Sequence, residues 1–377
     1  MRSTQKIVHM TTVHHPFDPR IYHKECKSIK DAGFDLTYLA QKDPNTGEVS
    51  EEIHQIPLPS YDSKLKRMLF APWKAYKVAK KLNADIYHFH DPELMFVARL
   101  LKNKRNIVVY DVHEDFVTSL IKKDYLNKFM KAVIRKSFRW IEKIITKPFK
   151  KVLAEKYYEE IYPNGKWVLN YPTVNENFMN QDRSGKPIED KLIYTGNVDL
   201  ERGAEIHANL PNVHPTISMH FIGKCPSRFA DRINEIAGAN QDRIHITGVD
   251  QFVPKEEIER SYLDTNWLAG IALFPPTEHY LKKELTKFFE YMNAGLPIIC
   301  SNFERWQEFI DQHQCGIAVD PYDEKEIYEA IEYLRNHPDE AKRMGQNGKK
   351  AVQEKLNWNT QANHLVELYD EWLTEIQ

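Results

Sequence analysis

Histidine and carboxylate side chains cluster after three segments that read as β-strands. The clusters are His14, His15, Asp18 and Arg20; His88, His90 and Asp91; and Asp111, His113, Glu114 and Asp115. One polar strand end is usually a cap or a turn, because Asp and His side chains satisfy loop amides well. Parallel strands bring their carboxyl ends to one edge of a sheet, where ligands of α/β folds bind, so three such ends predict a polar binding site.

The same side chains are ligands of zinc and iron, so a metal site is the alternative for these clusters. The sequence has no His-x-x-x-His or His-Glu-x-x-His spacing. The Asp-x-Asp spacing that holds a divalent cation in many enzymes is also absent. We therefore predict that no metal ion takes part.

A second group of candidates lies in "ELTKFFEYMNAGLPIIC", residues 284–300, where Lys287 and Glu290 share one side of a predicted helix. Apolar residues at i, i+3, i+4 and i+7 form a different face, and Gly295 and Pro297 end the helix. An exposed i, i+3 ion pair contributes only roughly 0.3 kcal/mol. From the helix alone, this simple interpretation of the pair stays open.

The segment "YTGNVDLERGAEI" places Gly196 at the end of a predicted strand and Arg202 with Gly203 at the start of the next helix. Glycines let a ligand approach the backbone, helix amides point outward and arginine offers a bidentate charge, so the segment could hold a phosphate. A solvated residue at a helix start is the alternative for Arg202. The dinucleotide fingerprint GxGxxG does not occur.

Short apolar segments alternate with amphipathic segments along both halves of the chain, which is typical of parallel βαβ sheets covered on both faces. We predict an α/β fold of two Rossmann-like, doubly wound domains facing across a cleft. The N-terminal domain is predicted to span residues 1–172, a polar linker 173–185 and the C-terminal domain 186–357. Locally, we expect a loop before a helix over 63–82 that Pro72 interrupts, and a long helix over 125–161.

The charge is distributed unevenly between the two halves. Residues 1–180 hold 31 Lys and Arg against 21 Asp and Glu, whereas the whole chain has a formal charge of −2. The basic excess lies mainly in residues 63–82 and 121–156. Solvated lysine-rich helix faces are one interpretation, and attraction to an anionic lipid or nucleic-acid surface is the other. Leucines rather than interleaved aromatics accompany the basic residues, which argues against nucleic acid.

Cysteines and hydropathy exclude several classes of protein. The four cysteines are scattered without paired spacing, so neither a disulfide framework nor a zinc site is predicted. The N-terminus has no apolar signal-peptide core, and no run of 18 apolar residues occurs. We expect a cytoplasmic protein that does not span a membrane.

The sequence resembles family-4 retaining glycosyltransferases of the GT-B fold, in particular a bacterial branch that builds capsule, lipopolysaccharide O-antigen, exopolysaccharide and wall polymers. The resemblance covers essentially the whole chain, with motifs in matching order. In the C-terminal half it rests on "YTGNVDLERG", "KFFEYMNAGLPII" and "GIAVDPYDEKEIYEAI". In the N-terminal half it rests on "FDPRIYHKECKSIKDAG", "DIYHFHDPEL", "VYDVHEDF" and "VLNYP".

The resemblance implies roles for the second group of candidates. Glu290 matches the second Glu of the family's motif and would bind the ribose hydroxyls of a nucleotide-sugar donor. Arg202 and Lys287 would grip the diphosphate and stabilise the charge that develops on it without a metal. Gly196 matches the glycine that lets the donor approach. The first Glu of the motif is replaced by Lys282, which would lie on the donor side and leaves the sugar unspecified.

On the N-terminal side, the resemblance implies that His113 lies near the reacting centre. We expect the acceptor side to include Arg20, His90, His113 and Glu114. The last helix, 358–377, would cross back to the N-terminal domain, as is common in this family. No cofactor is implied, since the donor, a UDP- or GDP-sugar, is a substrate.

The resemblance therefore implies a sugar transfer with retention, from a nucleotide-sugar to a lipid-linked glycan acceptor. The basic N-terminal half would dock on an anionic membrane as a peripheral protein on its inner face. Because Lys282 replaces a family Glu, a catalytically silent subunit that binds nucleotide or glycan is the alternative. An epimerase or phosphorylase of the same fold is a third class, although no lysine context for pyridoxal phosphate is evident.

Overall fold

The structure is a computed structural model that describes residues 2–43, 45–113, 128–174, 178 and 187–376. The chain divides into two compact units, Met1–Asn170 with Trp358–Gln377, and Tyr171–Asn357. In the described part of the chain, no helix is both long and apolar enough to cross a membrane.

The first unit is built on one parallel sheet. Its described strands are β1 (Lys6–Met10), β2 (Asp35–Gln41), β3 (His54–Leu58), β4 (Ile86–Phe89), β5 (Ile107–Val112), β6 (Lys150–Leu153) and β7 (Lys166–Trp167). They are hydrogen-bonded in the order β3-β2-β1-β4-β5-β6-β7. The strand order reverses between β1 and β4, and this switch point is where doubly wound sheets bind ligands. The register pairs Met10 with Phe89, so the residues after both strands emerge side by side.

Helices cover both faces of this sheet. A π-helical segment, Ile21–Cys26, continues into α1 (Lys27–Asp31), and α2 (Lys64–Leu82), α3 (Met95–Leu101) and α4 (Lys128–Ile145) follow. The C-terminal helix, Trp358–Thr374, packs into the same core: Leu365, Tyr369 and Trp372 are buried among residues of β1, β2 and α1. Short 3₁₀ turns span Arg2–Thr4, Pro92–Leu94 and Lys156–Glu160.

The second unit repeats the plan with a six-stranded parallel sheet. Its strands are β8 (Glu189–Thr195), β9 (Ser218–Cys225), β10 (Ile244–Val249), β11 (Trp267–Ala272), β12 (Ile298–Ser301) and β13 (Gly316–Val319). They are hydrogen-bonded in the order β10-β9-β8-β11-β12-β13, so the switch point lies between β8 and β11. The predicted α/β fold of two Rossmann-like domains is confirmed.

Helices of the second unit alternate with its strands. They are α5 (Ala204–Ala208), α6 (Leu210–Val213), α7 (Ser227–Ala237), α8 (Lys255–Asp264), α9 (Thr286–Asn293), α10 (Glu304–His313), α11 (Glu324–Asn336) and α12 (Pro338–Glu354). 3₁₀ turns span Leu200–Arg202 and Gly238–Arg243. Gly295 follows α9 with φ +69, the left-handed conformation predicted for the end of this helix.

Three local predictions are corrected. The helix over 63–82 is not interrupted, because α2 runs through Pro72; Ala71, Pro72 and Ala75 are all buried, and this packing offsets the missing backbone hydrogen bond. The helix expected over 125–161 ends at Ile145 and is followed by β6, a buried strand whose flanking lysines hid it from the periodicity. The strand β3 was expected to be loop; it contains Pro57 and lies at the sheet edge, where a missing backbone N–H is tolerated.

His207 on α5 is a buried histidine within the second unit. Its Nε2 accepts a hydrogen bond from the backbone N–H of Leu273 at 3.1 Å, and Tyr194, Phe221 and Phe274 surround the ring. Burial lowers its pKa from 6.5 to about 3. The ring is therefore neutral in the native state at neutral pH.

We expect His207 to make the second unit sensitive to acid. Below pH 6.5 the unfolded chain binds a proton at His207 that the native chain excludes, until the pH approaches 3. Stability is therefore fully present above pH 6.5 and falls by about 1.4 kcal/mol per pH unit below it. Urea unfolding at about pH 6 and about pH 5 should show a less steep loss in His207→Gln, whose side-chain oxygen can still accept from Leu273. A control His54→Gln, at an exposed position, should keep the wild-type slope, and equal slopes in all three proteins would contradict the prediction.

Candidate functional site

The carboxyl end of β8 carries two cations beside a bare backbone. A Cβ placed on Gly196 would lie 3.5 Å from Nζ of Lys287 and 3.8 Å from a terminal nitrogen of Arg202. Gly196 has φ +102, a conformation that favours glycine. The two cations thus lie within 4 Å of one point that only the absence of a side chain leaves open.

Close backbone approaches fix this corner of the sheet. A Cβ on Gly223 of β9 would lie 2.0 Å from the carbonyl oxygen of Gly196, and one on Gly203 would lie 1.9 Å from the carbonyl oxygen of Leu273. Both glycines have positive φ, +152 and +76 respectively. The turn that carries Arg202 is therefore packed directly against the end of β11, at the switch point.

Arg202 is positioned by its own turn and by two tyrosines. The Asp199 carboxylate accepts from the backbone N–H of Arg202 at 2.9 Å and lies 3.4 Å from its Nε. The guanidinium also donates to the hydroxyl oxygens of Tyr194 and Tyr280. Burial acts to lower the pKa of Arg202, but these three neighbours raise it above its ordinary value. The guanidinium is a fixed, permanent charge.

Glu290 on α9 is held through one of its oxygens. Oε2 accepts from the Tyr262 hydroxyl at 3.1 Å, from Oγ1 of Thr195 at 3.4 Å and from Nζ of Lys287 in a short ion pair. Thr195 and Tyr262 are also hydrogen-bonded to each other at 2.6 Å. The hydrogen bonds that the structure shows to Glu290 within its described residues all end on Oε2, which leaves Oε1 for a ligand.

Lys282 occupies a different environment. It is exposed in the turn before α9, where its carbonyl oxygen accepts from Arg305 at 3.4 Å. The cluster beside Gly196 consists of Arg202, Lys287 and Glu290, and the donor-side role of Lys282 stays a prediction.

The first unit contains a buried ion pair where the three polar strand ends were predicted to meet. Arg20 donates to both carboxylate oxygens of Asp111, at 3.1 and 3.0 Å, and its Nε lies 3.0 Å from Glu25. Burial acts to raise the pKa of Asp111, but the charge of Arg20 holds it well below its ordinary value. Burial and the charge of Asp111 raise the pKa of Glu25 well above its ordinary value. One cation and one carboxylate thus balance each other, with Glu25 neutral.

Three histidines gather next to this pair. His90 binds Asp111 through Nδ1 at 3.1 Å, and the ring centroids of His14 and His90 lie 4.7 and 5.6 Å from that of His113. Burial, with the nearby His90, His14 and Arg20, lowers the pKa of His113 to about 4 against the opposing effect of Asp111. His113 is therefore a neutral base at neutral pH, and its Nε2 has no partner within the described residues.

The acceptor-side candidates differ in accessibility. Arg20 and His90 are almost fully buried, with exposed fractions of 3% and 2%, whereas His113 is partly exposed. Glu114 lies outside the described residues. The acceptor-side roles stay predictions, and His113 is the member of this set that a ligand can reach.

A metal site can be tested against the same cluster. Glu25, His88, His90 and Asp111 offer ligand atoms that lie within 4.8 Å of one another. The guanidinium of Arg20 is, however, already bound to both carboxylates. A second cation there would be repelled, and the donor set does not fit a metal ion.

Several residues of both clusters were not identified from the sequence. Thr195 and Tyr262 hold Glu290, Tyr194 and Tyr280 hold Arg202, and His9, Glu25 and Tyr369 complete the buried cluster of the first unit. Tyr262 lies on α8, 28 residues before Glu290, and carries no motif. Thr195 had one available signal, since it immediately precedes Gly196.

Comparison with known families matches both halves of the chain. Residues 19–155 match the model described as Glycosyltransferase Family 4, and residues 214–351 match the model described as Glycosyl transferases group 1. Among curated proteins, spore coat protein SA of Bacillus subtilis is 23% identical over 190 residues. That match spans 48% of this chain and 48% of the relative, about half the length of each.

Solved structures resemble the chain over nearly its whole length. Sucrose-phosphate synthase from Thermosynechococcus elongatus superposes with a TM-score of 0.68 at 17% identity, covering 98% of this chain and 99% of that one. HepE of Anabaena, solved in complex with UDP, gives a TM-score of 0.65 at 8% identity, covering 97% and 99%. At these identities the likeness shows the fold.

Proposed function

Because the chain is a glycosyltransferase of the GT-B type, we propose that it transfers a sugar from a nucleotide-sugar to a glycan acceptor with retention of configuration. The observation that carries the proposal is the convergence of Arg202 and Lys287 beside the bare backbone of Gly196. A diphosphate is the ligand that two fixed cations at a glycine strand end suit best.

The chemistry asks for stabilisation of a leaving group. When the sugar–phosphate bond breaks, negative charge develops on the departing diphosphate, and preorganised cations lower the barrier to that step. Arg202 is fixed by Tyr194, Tyr280 and Asp199, so it needs little reorganisation as the charge appears. In this proposal the two side chains supply the charge, and no metal ion is required.

Glu290 would orient the nucleoside. Its Oε2 is occupied by Thr195, Tyr262 and Lys287, and Oε1 would accept hydrogen bonds from the ribose hydroxyls. When a diphosphate takes Lys287 as its partner, the carboxylate keeps two hydroxyl donors and hence its position. A UDP- or GDP-sugar is the proposed donor; the UDP complex of HepE, a protein of the same fold, supports the former.

The proposed donor can be tested with a panel of UDP- and GDP-sugars and membrane lipid extract. We expect one donor to raise the melting temperature, since ligand binding stabilises the folded state, and nucleoside diphosphate to be released when lipid is added. Binding without release under any condition would support the alternative of a silent subunit. Failure of every donor to bind would overturn the proposal.

The acceptor is proposed to be lipid-linked, as in the synthesis of surface polysaccharides, with the first unit docked on an anionic membrane. α2 packs on α3, and α3 on α4, so their outer faces form one surface. Leu65, Leu69 and Trp73 on this surface are 68%, 56% and 52% exposed, so they do not belong to the core. The other exposed apolar residues of this surface are Met68, Phe70, Phe96, Leu100, Phe129, Met130, Val133, Trp140, Ile141 and Ile144. Lysines flank them, as expected for a face that lies in the headgroup layer.

Vesicle sedimentation should show binding that needs anionic lipid and weakens as salt rises. Lys64→Gln with Lys66→Gln should weaken binding roughly thirtyfold, because each basic residue near the surface contributes about 1 kcal/mol. Both side chains are exposed, whereas Arg67 pairs with Glu93 at 3.2 Å and is left intact. The matched control replaces the exposed Lys325 and Lys350 of the second unit with Gln. Equal binding to neutral vesicles, or an equal effect of the control, would contradict membrane docking.

A further inference from the structure

Five side chains of the first unit form a continuous buried chain of hydrogen bonds. His90 contacts Asp111 through Nδ1 and His9 through Nε2, both at 3.1 Å. His9 contacts the Tyr369 hydroxyl through Nε2 at 2.9 Å, and the same hydroxyl contacts Nδ1 of His88. The chain runs from β5 across the switch-point strands β4 and β1 to the C-terminal helix, and all five residues are buried.

Asp111 sets the direction of this chain. Its carboxylate accepts two hydrogen bonds from Arg20, which keeps it ionised, and an ionised carboxylate can only accept. The proton between His90 and Asp111 must therefore be on Nδ1 of His90. A neutral His90 then has a lone pair on Nε2 and can only accept from His9.

Each further link follows from the one before. His9 must carry its proton on Nδ1 to donate to His90, so its Nε2 accepts from the Tyr369 hydroxyl. Tyr369 has one proton, so its oxygen must accept from Nδ1 of His88. Nε2 of His88 is left as a lone pair without a partner in the described residues, 3.9 Å from an oxygen of Glu25.

Neutral histidines are required by the charge balance. Burial, with the neighbouring imidazoles, lowers the pKa of both His9 and His88 well below the ordinary value. Arg20 already compensates Asp111, and Glu25 is held neutral, so an imidazolium here would be a buried charge without a partner. The order of donors and acceptors is therefore determined at every position.

We propose that this chain has a single direction, from His88 through Tyr369, His9 and His90 to Asp111, and that His9, His88 and Tyr369 are positioning residues. They hold the ring of His90 and the carboxylate of Asp111 in one orientation beside His113. Tyr369 thereby ties the C-terminal helix to the polar end of β5. The proposal concerns proton positions within the first unit and does not depend on the donor.

The test is nuclear magnetic resonance of the full chain with ¹⁵N-labelled histidine, assigned through single substitutions. Long-range proton–nitrogen spectra at neutral pH distinguish the two neutral tautomers and the imidazolium. We expect His9, His88 and His90 each to carry the proton on Nδ1. The tautomer Nε2–H or a doubly protonated ring at His9 or His90 would overturn the proposal.

Asp111→Asn should reverse the chain. The Asn oxygen would face Arg20 and its NH₂ group would donate to Nδ1 of His90, so the proton moves to Nε2 in all three histidines. Tyr369→Phe is the matched variant: it should release His88 alone, with His90 and His9 still fixed by Asp111. Unchanged tautomers in folded Asp111→Asn would overturn the proposal. If that variant does not fold, the wild-type pattern and the Tyr369→Phe spectrum decide it, and loss of the Nδ1 proton of His90 in Tyr369→Phe would count against it.

Discussion

Replacing Arg202 with alanine is expected to lower kcat by roughly 10²–10³-fold, the usual cost of removing one preorganised group that stabilises transition-state charge. The donor's KM should change much less, because the leaving-group charge is largest in the transition state. The guanidinium is directed at the Gly196 backbone by Tyr194, Tyr280 and Asp199, so its loss leaves no other charge at the same point. Release of nucleoside diphosphate, measured against donor concentration, separates kcat from KM.

Two control variants make the result for Arg202 specific. Arg202→Lys keeps a charge but loses the planar fork that reaches two hydroxyls, so it should recover only part of the rate. Arg232→Ala removes an exposed arginine of the same unit, paired with Glu205 and Glu235, and should leave the rate unchanged. Wild-type kinetics in Arg202→Ala would rule out its role in the reaction.

The fold could be predicted because parallel sheets impose a strong local signal. The segments around Ile7, Ile193 and Ile299 are short, apolar and flanked by amphipathic helices, and all three became central strands. The errors arose where tertiary packing overrode the local signal. Burial of Pro72 kept α2 continuous, and pairing with β5 made a strand of Lys150–Leu153 in a segment rich in helix-forming residues.

The site could be predicted only as far as charged groups and glycines mark it. Gly196, Arg202 and Lys287 stand out by type and spacing, and the structure brings them together. Tyr262 and Tyr369 do not stand out, because a buried tyrosine on an apolar helix stripe reads as core. Their hydroxyls become significant only when the fold places a carboxylate or an imidazole within 3.1 Å of each.

The same comparison explains why Lys287 and Glu290 lie three residues apart on α9. In the described structure they form an ion pair, as the simplest interpretation of the helix predicts. The pair is not an ordinary exposed one, because Lys287 is only 12% exposed and Glu290 is also held by Thr195 and Tyr262. Each residue is a partner of the other and lies where a nucleotide could replace that partner, which fits a site that stays charge-balanced without ligand.

Glu290→Ala is accordingly expected to weaken donor binding by roughly a hundredfold, since a hydrogen bond to a charged group contributes about 1.5–3 kcal/mol and the ribose offers two hydroxyls. Tyr262→Phe should produce a smaller loss in the same direction, because Oε2 loses one of its anchors while Oε1 remains. Binding of UDP and of inorganic pyrophosphate, measured by calorimetry, separates orientation of the nucleoside from attraction of the phosphates. Both variants should bind pyrophosphate as wild type does, or more tightly in Glu290→Ala, where Lys287 is released from its partner. Arg202→Ala should weaken both ligands. A Glu290→Ala variant that loses pyrophosphate and UDP equally would show that the carboxylate maintains the pocket instead of binding ribose.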